Sequence, residues 1–191
     1  MRRIVLASAS PRRKELLDRI GLKFEVAESA FREELTYELE PGALVQKLSL
    51  EKASLVAKQY DDAIVIAADT IGVLDGNIIG KPHNERTAKQ MLRMLSGKCH
   101  LVITGFTIID TRSQKTLSRF VETKVYFRDL TDGEIDAYVR TGEPLDKAGA
   151  YAIQGLGALL VEKIEGDYYN VIGLPLNTLM ESLKKFGVRL L

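Results

Sequence analysis

Asp69 and Thr70 follow directly on the apolar run Ile64-Val65-Ile66-Ala67-Ala68. A short continuous run of that kind, rich in β-branched residues, reads as a strand buried on both faces. It delivers a carboxylate and a hydroxyl at its C-terminal end, the edge at which open α/β sheets bind ligands. Asp69 is therefore a candidate for chemistry, the plainer alternative being an aspartate that begins a turn. A second cluster is Ser8-Ala9-Ser10-Pro11-Arg12-Arg13-Lys14. It has the pattern of a small-residue turn leading into a helix, with Ser10 placed as the cap and Pro11 as the first helical residue. Such a start aims backbone N–H groups and the positive end of a helix dipole at one spot, and Arg12 and Arg13 add two guanidinium groups. Phosphate suits that spot, while solvated surface is the alternative for the arginines. Lys52, Lys81 and Lys147 and the acids Glu33, Asp69, Glu143 and Asp146 complete the set. There is no Gly-x4-Gly-Lys-Ser/Thr loop and no nucleophile with a paired histidine, which argues against a P-loop NTPase. Many cations with a few carboxylates suit a polyphosphate held by side chains, with Mg²⁺ or Mn²⁺ shared between carboxylate and phosphate oxygens. The residues by themselves lead to an enzyme of phosphate compounds and no further.

The elements that must position these groups can be read in order. Residues 4–6 form a short strand, a helix follows from Pro11 with Leu16, Leu17 and Ile20 inward, and Gly21 stops it. A strand is expected at 24–27 and a helix at 43–60, where Val45, Leu48, Leu55 and Val56 define an apolar stripe. Lys52 falls on that stripe, where it either snorkels to solvent or projects into an anionic ligand. Asp75-Gly76 between apolar arms predicts a hairpin that carries Gly80-Lys81-Pro82 back. Lys81 is then either a second phosphate clamp or an ordinary loop lysine. Asn84 caps a helix through Leu95, residues 101–109 and 121–127 read as strands, and Thr131-x-x-Glu134 is a capping box. The irregular stretch 141–155 mixes charged and small residues, and an ordered loop of that length is usually functional. Residues 159–161 and 168–172 read as strands around the Glu165-Gly166-Asp167 turn, and a helix to about Phe186 closes the chain.

Composition limits the rest. With 191 residues and 46% hydrophobic content the chain can bury a substantial core, as one domain or one domain of two lobes. Its 27 basic and 26 acidic residues leave a formal charge of +1, so no general nucleic-acid or membrane coat is expected. Any anion site must come from local charge, as in the first 14 residues, which carry five basic side chains and no acid. One cysteine, Cys99, and two histidines exclude an internal disulfide and a Cys/His zinc site, and point to a reducing, cytoplasmic setting. No signal-peptide core or membrane-length apolar run is present.

Taken together, Ser8-x-Ser-Pro-Arg-Arg-x-Glu-Leu-Leu17, Ala68-Asp69-Thr70, Gly80-Lys81-Pro82, Leu95-Ser96-Gly97, Thr104-Gly105, Glu143-Pro144-Leu145-Asp146-Lys147-Ala148-Gly149-Ala150-Tyr151, Ile153-Gln154-Gly155 and Gly173-Leu174-Pro175-Leu176 resemble the Maf family of nucleoside triphosphate pyrophosphatases. The motifs run in order along nearly the whole chain; the opening and the 143–155 segment are the specific ones. The resemblance implies one Maf-like domain over residues 1–191, with an α/β fold of a central mixed, twisted sheet flanked by helices. Two lobes with a cleft, kinship with the inosine triphosphate pyrophosphatases and a homodimer are also implied. It implies hydrolysis of dTTP and UTP, modified pyrimidine nucleotides included, between the α and β phosphates, with a divalent metal. By position Asp69 is the proton acceptor, Ser8, Arg13, Lys52 and Lys81 bind phosphate, and Glu33 joins Asp69 at the metal. An ordinary carboxylate is a weak base, so metal activation of the water should supply much of the rate. Arg12, Thr70 and Gln154 correspond to the substrate-sorting positions, and the glutamine amide matches the adjacent C=O and N–H of a uracil or thymine edge. Ala152 stands where many relatives carry glycine. The rival readings are a non-catalytic nucleotide-binding regulator of septum formation and a pyrophosphatase of another base preference.

Overall fold

The computed structural model describes residues 2–29 and 39–190. Among them are seven strands: β1 (Arg3–Leu6), β2 (Glu25–Val26), β3 (Ala63–Leu74), β4 (Asn77–Ile79), β5 (Cys99–Asp110), β6 (Thr116–Phe127) and β7 (Val161–Glu165). The helices are α1 (Pro11–Arg19), α2 (Pro41–Ala57), α3 (Glu85–Leu95), α4 (Asp132–Val139), α5 (Tyr168–Ile172) and α6 (Leu176–Lys184), with 3-10 turns at Glu143–Asp146, Ala148–Ala150 and Gly155–Leu160. The strands make one mixed sheet in the order β2-β1-β3-β5-β6-β7, with β4 paired to β3. β1 runs parallel to β2 and β3, whereas β4 is antiparallel to β3 and β7 to β6. The expected mixed α/β fold is therefore present.

The chain divides into two compact units, one of Met1–Asp69, Thr104–Val121 and Gly173–Leu191, the other of Thr70–Ile103 and Glu122–Ile172. The core of the first is built on alternation. Ala63, Val65 and Ala67 of β3 share one face and pack with Val5, Ala7 and Ile109 against Ala53 and Val56 of α2. Small residues on both sides let the helix approach the sheet closely. At Gly105 a Cβ would lie 2.4 Å from the Val45 carbonyl carbon, so only glycine fits beneath α2 there. Leu16 and Leu17 of α1 and Leu179 and Leu183 of α6 are also buried.

In the second unit the β3–β4 hairpin turns at Asp75 and Gly76, both at positive φ, with Leu74 opposite Asn77. That is the turn an Asp-Gly pair favours. The Asn84 side chain accepts from the Thr87 N–H at 2.9 Å to cap α3, and Thr131 and Glu134 form the full capping box of α4. Lys89 and Arg93 of α3 pair with Asp136 and Asp132 of α4.

Several local expectations are corrected. The third strand does not stop at Thr70; it continues through buried Ile71, Val73 and Leu74, which lie in its pairing stretch with β4. Ser10 occupies the N-cap position without a side-chain bond, and Ser8 Oγ accepts from the Ser10 N–H instead. Leu55 is exposed and lies off the packed stripe, which runs through Leu44, Val45, Leu48, Ala53 and Val56. Residues 168–172 are helical: Asp167 accepts from the N–H groups of Tyr169 and Asn170, and the Asn170 amide turns inward to Val102 O and Thr123 Oγ1. Residues 159 and 160 belong to a 3-10 turn, and β7 begins at Val161.

Candidate active site

Asp69 lies on the rung after Ala63, Val65 and Ala67, so period-two alternation turns its side chain toward α2. On α2, Lys52 is four residues before Val56 and four after Leu48, in line with the packed stripe. The two meet: Lys52 Nζ donates to Asp69 Oδ1 at 2.6 Å, with side-chain exposures of 13% and 11%. Of the two readings of Lys52, the inward one is realised. A carboxylate so nearly buried needs its counter-charge, and removing one partner of such a pair costs far more than breaking a surface pair. Along β3 the rungs shared with β1 end at Ile66 and those shared with β4 begin at Gly72. Asp69 and Thr70 lie between these two stretches.

The turn after β1 supplies the neighbouring groups. Arg13, in the first turn of α1, donates from Nε to Gly173 O at 2.8 Å and from Nη1 to Ala68 O at 2.7 Å and Ser8 Oγ at 3.3 Å. It fastens α1 to the backbone beside Asp69, and it draws Ser8, which is 9% exposed, into the same cluster. Arg12 is half-buried. The basic cluster of the first 14 residues is thinner than its sequence suggests, because Arg2 pairs with Asp62 and Asp110, Arg3 with Glu25, and Lys14 with Asp18. The Arg2 guanidinium holds the Asp110 carboxyl well below the usual carboxylate range. Of the five, Arg12 and Arg13 stand in the first turn of α1, with Arg13 engaged by Gly173 O, Ala68 O and Ser8 Oγ.

The second unit holds the remaining candidates. Thr70 follows Asp69 and is half-buried. Lys81 is exposed, and Gly80 O accepts from the Gly149 N–H at 3.0 Å, tying the Gly-Lys-Pro segment to the stretch beyond residue 143. Lys147 pairs with its neighbour Asp146. Gln154 is half-buried and precedes Gly155 at φ +69°. Glu143 does not serve as a free acid: it accepts from Tyr138 Oη at 2.8 Å, Gly157 N–H at 3.0 Å and Leu156 N–H at 3.2 Å. Burial and that bond push the Tyr138 phenol up.

A buried cluster with no local sequence signal lies in the same unit. His100 Nε2 is 2.8 Å from Tyr151 Oη, and both rings meet Phe127 edge-on. His100 Nδ1 is buried with no partner among the described residues, and desolvation pushes the imidazole down to about 4.

For a metal, no group of three His, Cys, Asp or Glu side chains stands ready among the described residues, and Glu33 lies outside them. Asp69 alone fits a hard cation such as Mg²⁺, which commonly takes one or two carboxylates and completes its shell with phosphate oxygens and water. An acid beside Lys52 and an arginine-anchored turn has the chemistry of a site finished by a polyphosphate.

A family model described as "Maf-like protein" matches residues 3–186. The chain is 54% identical over 191 residues to a protein of Thermoanaerobacter sp. (strain X514) named dTTP/UTP pyrophosphatase, covering 99% of this chain and 100% of that one. Proteins of the same name from Methanococcoides burtonii and Bacillus cereus (strain AH820) are 52% and 50% identical, each over 98% of this chain and 97% of theirs. Among solved structures, the Staphylococcus aureus Ham1 protein superposes with a TM-score of 0.57 at 15% identity, over 96% of this chain and 99% of that one, a likeness of fold.

Proposed function

The chain belongs to the Maf family, and from that premise we propose that it hydrolyses dTTP and UTP between the α and β phosphates, giving the nucleoside monophosphate and pyrophosphate. The observation that carries the reading is the part-buried Asp69–Lys52 pair at 2.6 Å, which joins a group able to take a proton to a cation able to meet phosphate. Water attacks the α phosphorus, the bond from it to the bridging oxygen breaks, and pyrophosphate leaves with the bridging oxygen. The proton of the attacking water passes to Asp69, which must be within hydrogen-bond reach of that water. Arg13, Lys52 and Lys81 offset the charge that grows on the departing pyrophosphate, with Ser8 adding a hydroxyl at the turn. A divalent cation held by Asp69 and the phosphates, with Glu33 as the second acid, would supply Lewis-acid polarisation of the attacking water. Arg12, Thr70 and Gln154 sort substrates, the Gln154 amide meeting the C=O and N–H of the pyrimidine edge. The reading extends to one Maf-like domain acting as a homodimer in the cytoplasm. Among the described residues no helix is long and apolar enough to cross a membrane.

The test is a panel of nucleoside triphosphates with Mg²⁺ or Mn²⁺ and identification of products. Pyrophosphate with UMP or dTMP is expected; orthophosphate with a diphosphate overturns the cleavage site, and preferred turnover of a purine nucleotide overturns the base preference. Asp69→Asn should still bind UTP and lose at least about 100-fold in turnover, the lower range for a general base. Wild-type binding without turnover would instead make the protein a regulator.

A further inference from the structure

Gln154 sits inside a loop whose two sides end on the same pair of side chains. On one side the Ala152 N–H donates to Tyr138 Oη at 3.3 Å. The phenol in turn donates to Glu143 Oε1 at 2.8 Å. On the other side, Gly157 N–H donates to the same Oε1 at 3.0 Å and Leu156 N–H to Oε2 at 3.2 Å. Two residues before Gln154, and two and three after it, the backbone is thus held by one carboxylate and one phenol.

The glycines show how close the loop is drawn. A Cβ at Gly155 would lie 2.8 Å from Glu143 Oε2, and one at Gly157 would lie 2.1 Å from Ala152 O and 2.7 Å from Tyr138 Oη. The clamp therefore needs glycine at both places, and Gly155 further needs it for φ +69°. It also needs a carboxylate at 143: three donors converge on its two oxygens, and an amide would set an NH₂ group against at least one of them.

We infer that Glu143 and Tyr138 are positioning residues that hold the Gln154 amide in the orientation that selects the base. The inference rests on the proposed role of Gln154 as the base reader. A pre-set amide discriminates because the wrong base leaves its donor or acceptor unpaired, whereas a mobile one turns to suit either partner. Neither residue touches the substrate in this account.

The test measures kcat and KM with UTP and with GTP for wild type, Glu143→Gln, Tyr138→Phe and Gln154→Ala. The two clamp variants should lose on the order of tenfold in UTP over GTP preference, roughly one net hydrogen bond's worth, chiefly through a higher KM for UTP. Glu143→Gln added to Gln154→Ala should change that preference no further. General destabilisation would lower the active fraction for both nucleotides alike and leave the ratio where it was. Folded clamp variants that keep the wild-type ratio while Gln154→Ala abolishes it overturn the inference. An unchanged ratio in Gln154→Ala itself refutes Gln154 as the base reader, and the inference falls with it. Should Glu143→Gln not fold, Tyr138→Phe, which removes one hydroxyl, decides alone.

Discussion

The buried imidazole of His100 should make this fold sensitive to mild acid, by an amount that follows from its surroundings. Its Nε2 meets Tyr151 Oη and its Nδ1 has no partner among the described residues, so a second ring proton would be a buried, unpaired donor on a charged group. Burial accordingly pushes the ring from 6.5 down to about 4. The unfolded chain takes up a proton at this residue below about pH 6.5, while the folded chain stays neutral there until about pH 4. Stability is thus complete above the unfolded value and is lost as pH falls through the window between the two. Integrated across it, the loss is about 2 kcal/mol at about pH 5 and about 3 kcal/mol at about pH 4. For a chain of this size the first figure is a fall of about 4–8 °C in Tm. The assay is urea unfolding at several pH values for wild type and His100→Gln, which cannot titrate in this range and keeps a polar group for Tyr151. The other histidine, His83, is exposed and common to both chains, so the difference between them isolates His100. Wild type should lose its advantage over the variant as pH falls from about 7.5 to about 5. Parallel pH profiles would refute the argument, because they would mean that His100 titrates alike in the folded and unfolded chains.

Two further substitutions probe how the catalytic pair is held. Gly105→Ala places a methyl 2.4–2.7 Å from backbone atoms of Val45 and Gln46, so α2 must shift. The expected cost is about 1–3 kcal/mol in urea unfolding together with lower UTP turnover, since Lys52 rides on that helix; an unchanged unfolding midpoint would show that the helix gives way freely. Arg13→Lys keeps the charge but cannot span Gly173 O and Ala68 O as the guanidinium does. It should cost about 1–3 kcal/mol and lower turnover, and full activity at unchanged stability would reduce Arg13 to a simple positive charge.

What could be read from sequence was whatever local rules decide. Asp75-Gly76, the Asn84 cap and the Thr131–Glu134 box stand as their residues require, because each is settled within about four residues of chain. Lys52 on an apolar stripe and Asp69 after an apolar run were each legible as unusual; that they form one pair depends on which faces of α2 and β3 meet. The failures are tertiary. Residues 168–172 have strand-like composition, but Asp167 caps them as a helical turn and the Asn170 amide finds its partners in β5 and β6. Arg2 looks like part of a phosphate site until Asp62 and Asp110, 60 and 108 residues away, neutralise it. Glu143 looks like a free acid and is occupied in holding backbone. His100 gave no signal, since nothing near it in the chain distinguishes a buried imidazole from an exposed one.

The three stretches that make up the first unit set an order of events during synthesis. Arg13 is anchored on Gly173 O, 160 residues onward, and Leu179 and Leu183 of α6 are fully buried. The second unit ends at Ile172, so all of its chain has been made before the last stretch of the first unit, Gly173–Leu191, is complete. Asp69 and Lys52 are translated early, yet the bond from Arg13 to Gly173 O and the burial of Leu179 and Leu183 come only after residue 173 and α6 have followed. A ribosome-bound chain stopped short of that point carries every acid and base named here but lacks the Gly173 anchor of Arg13 and the buried face of α6.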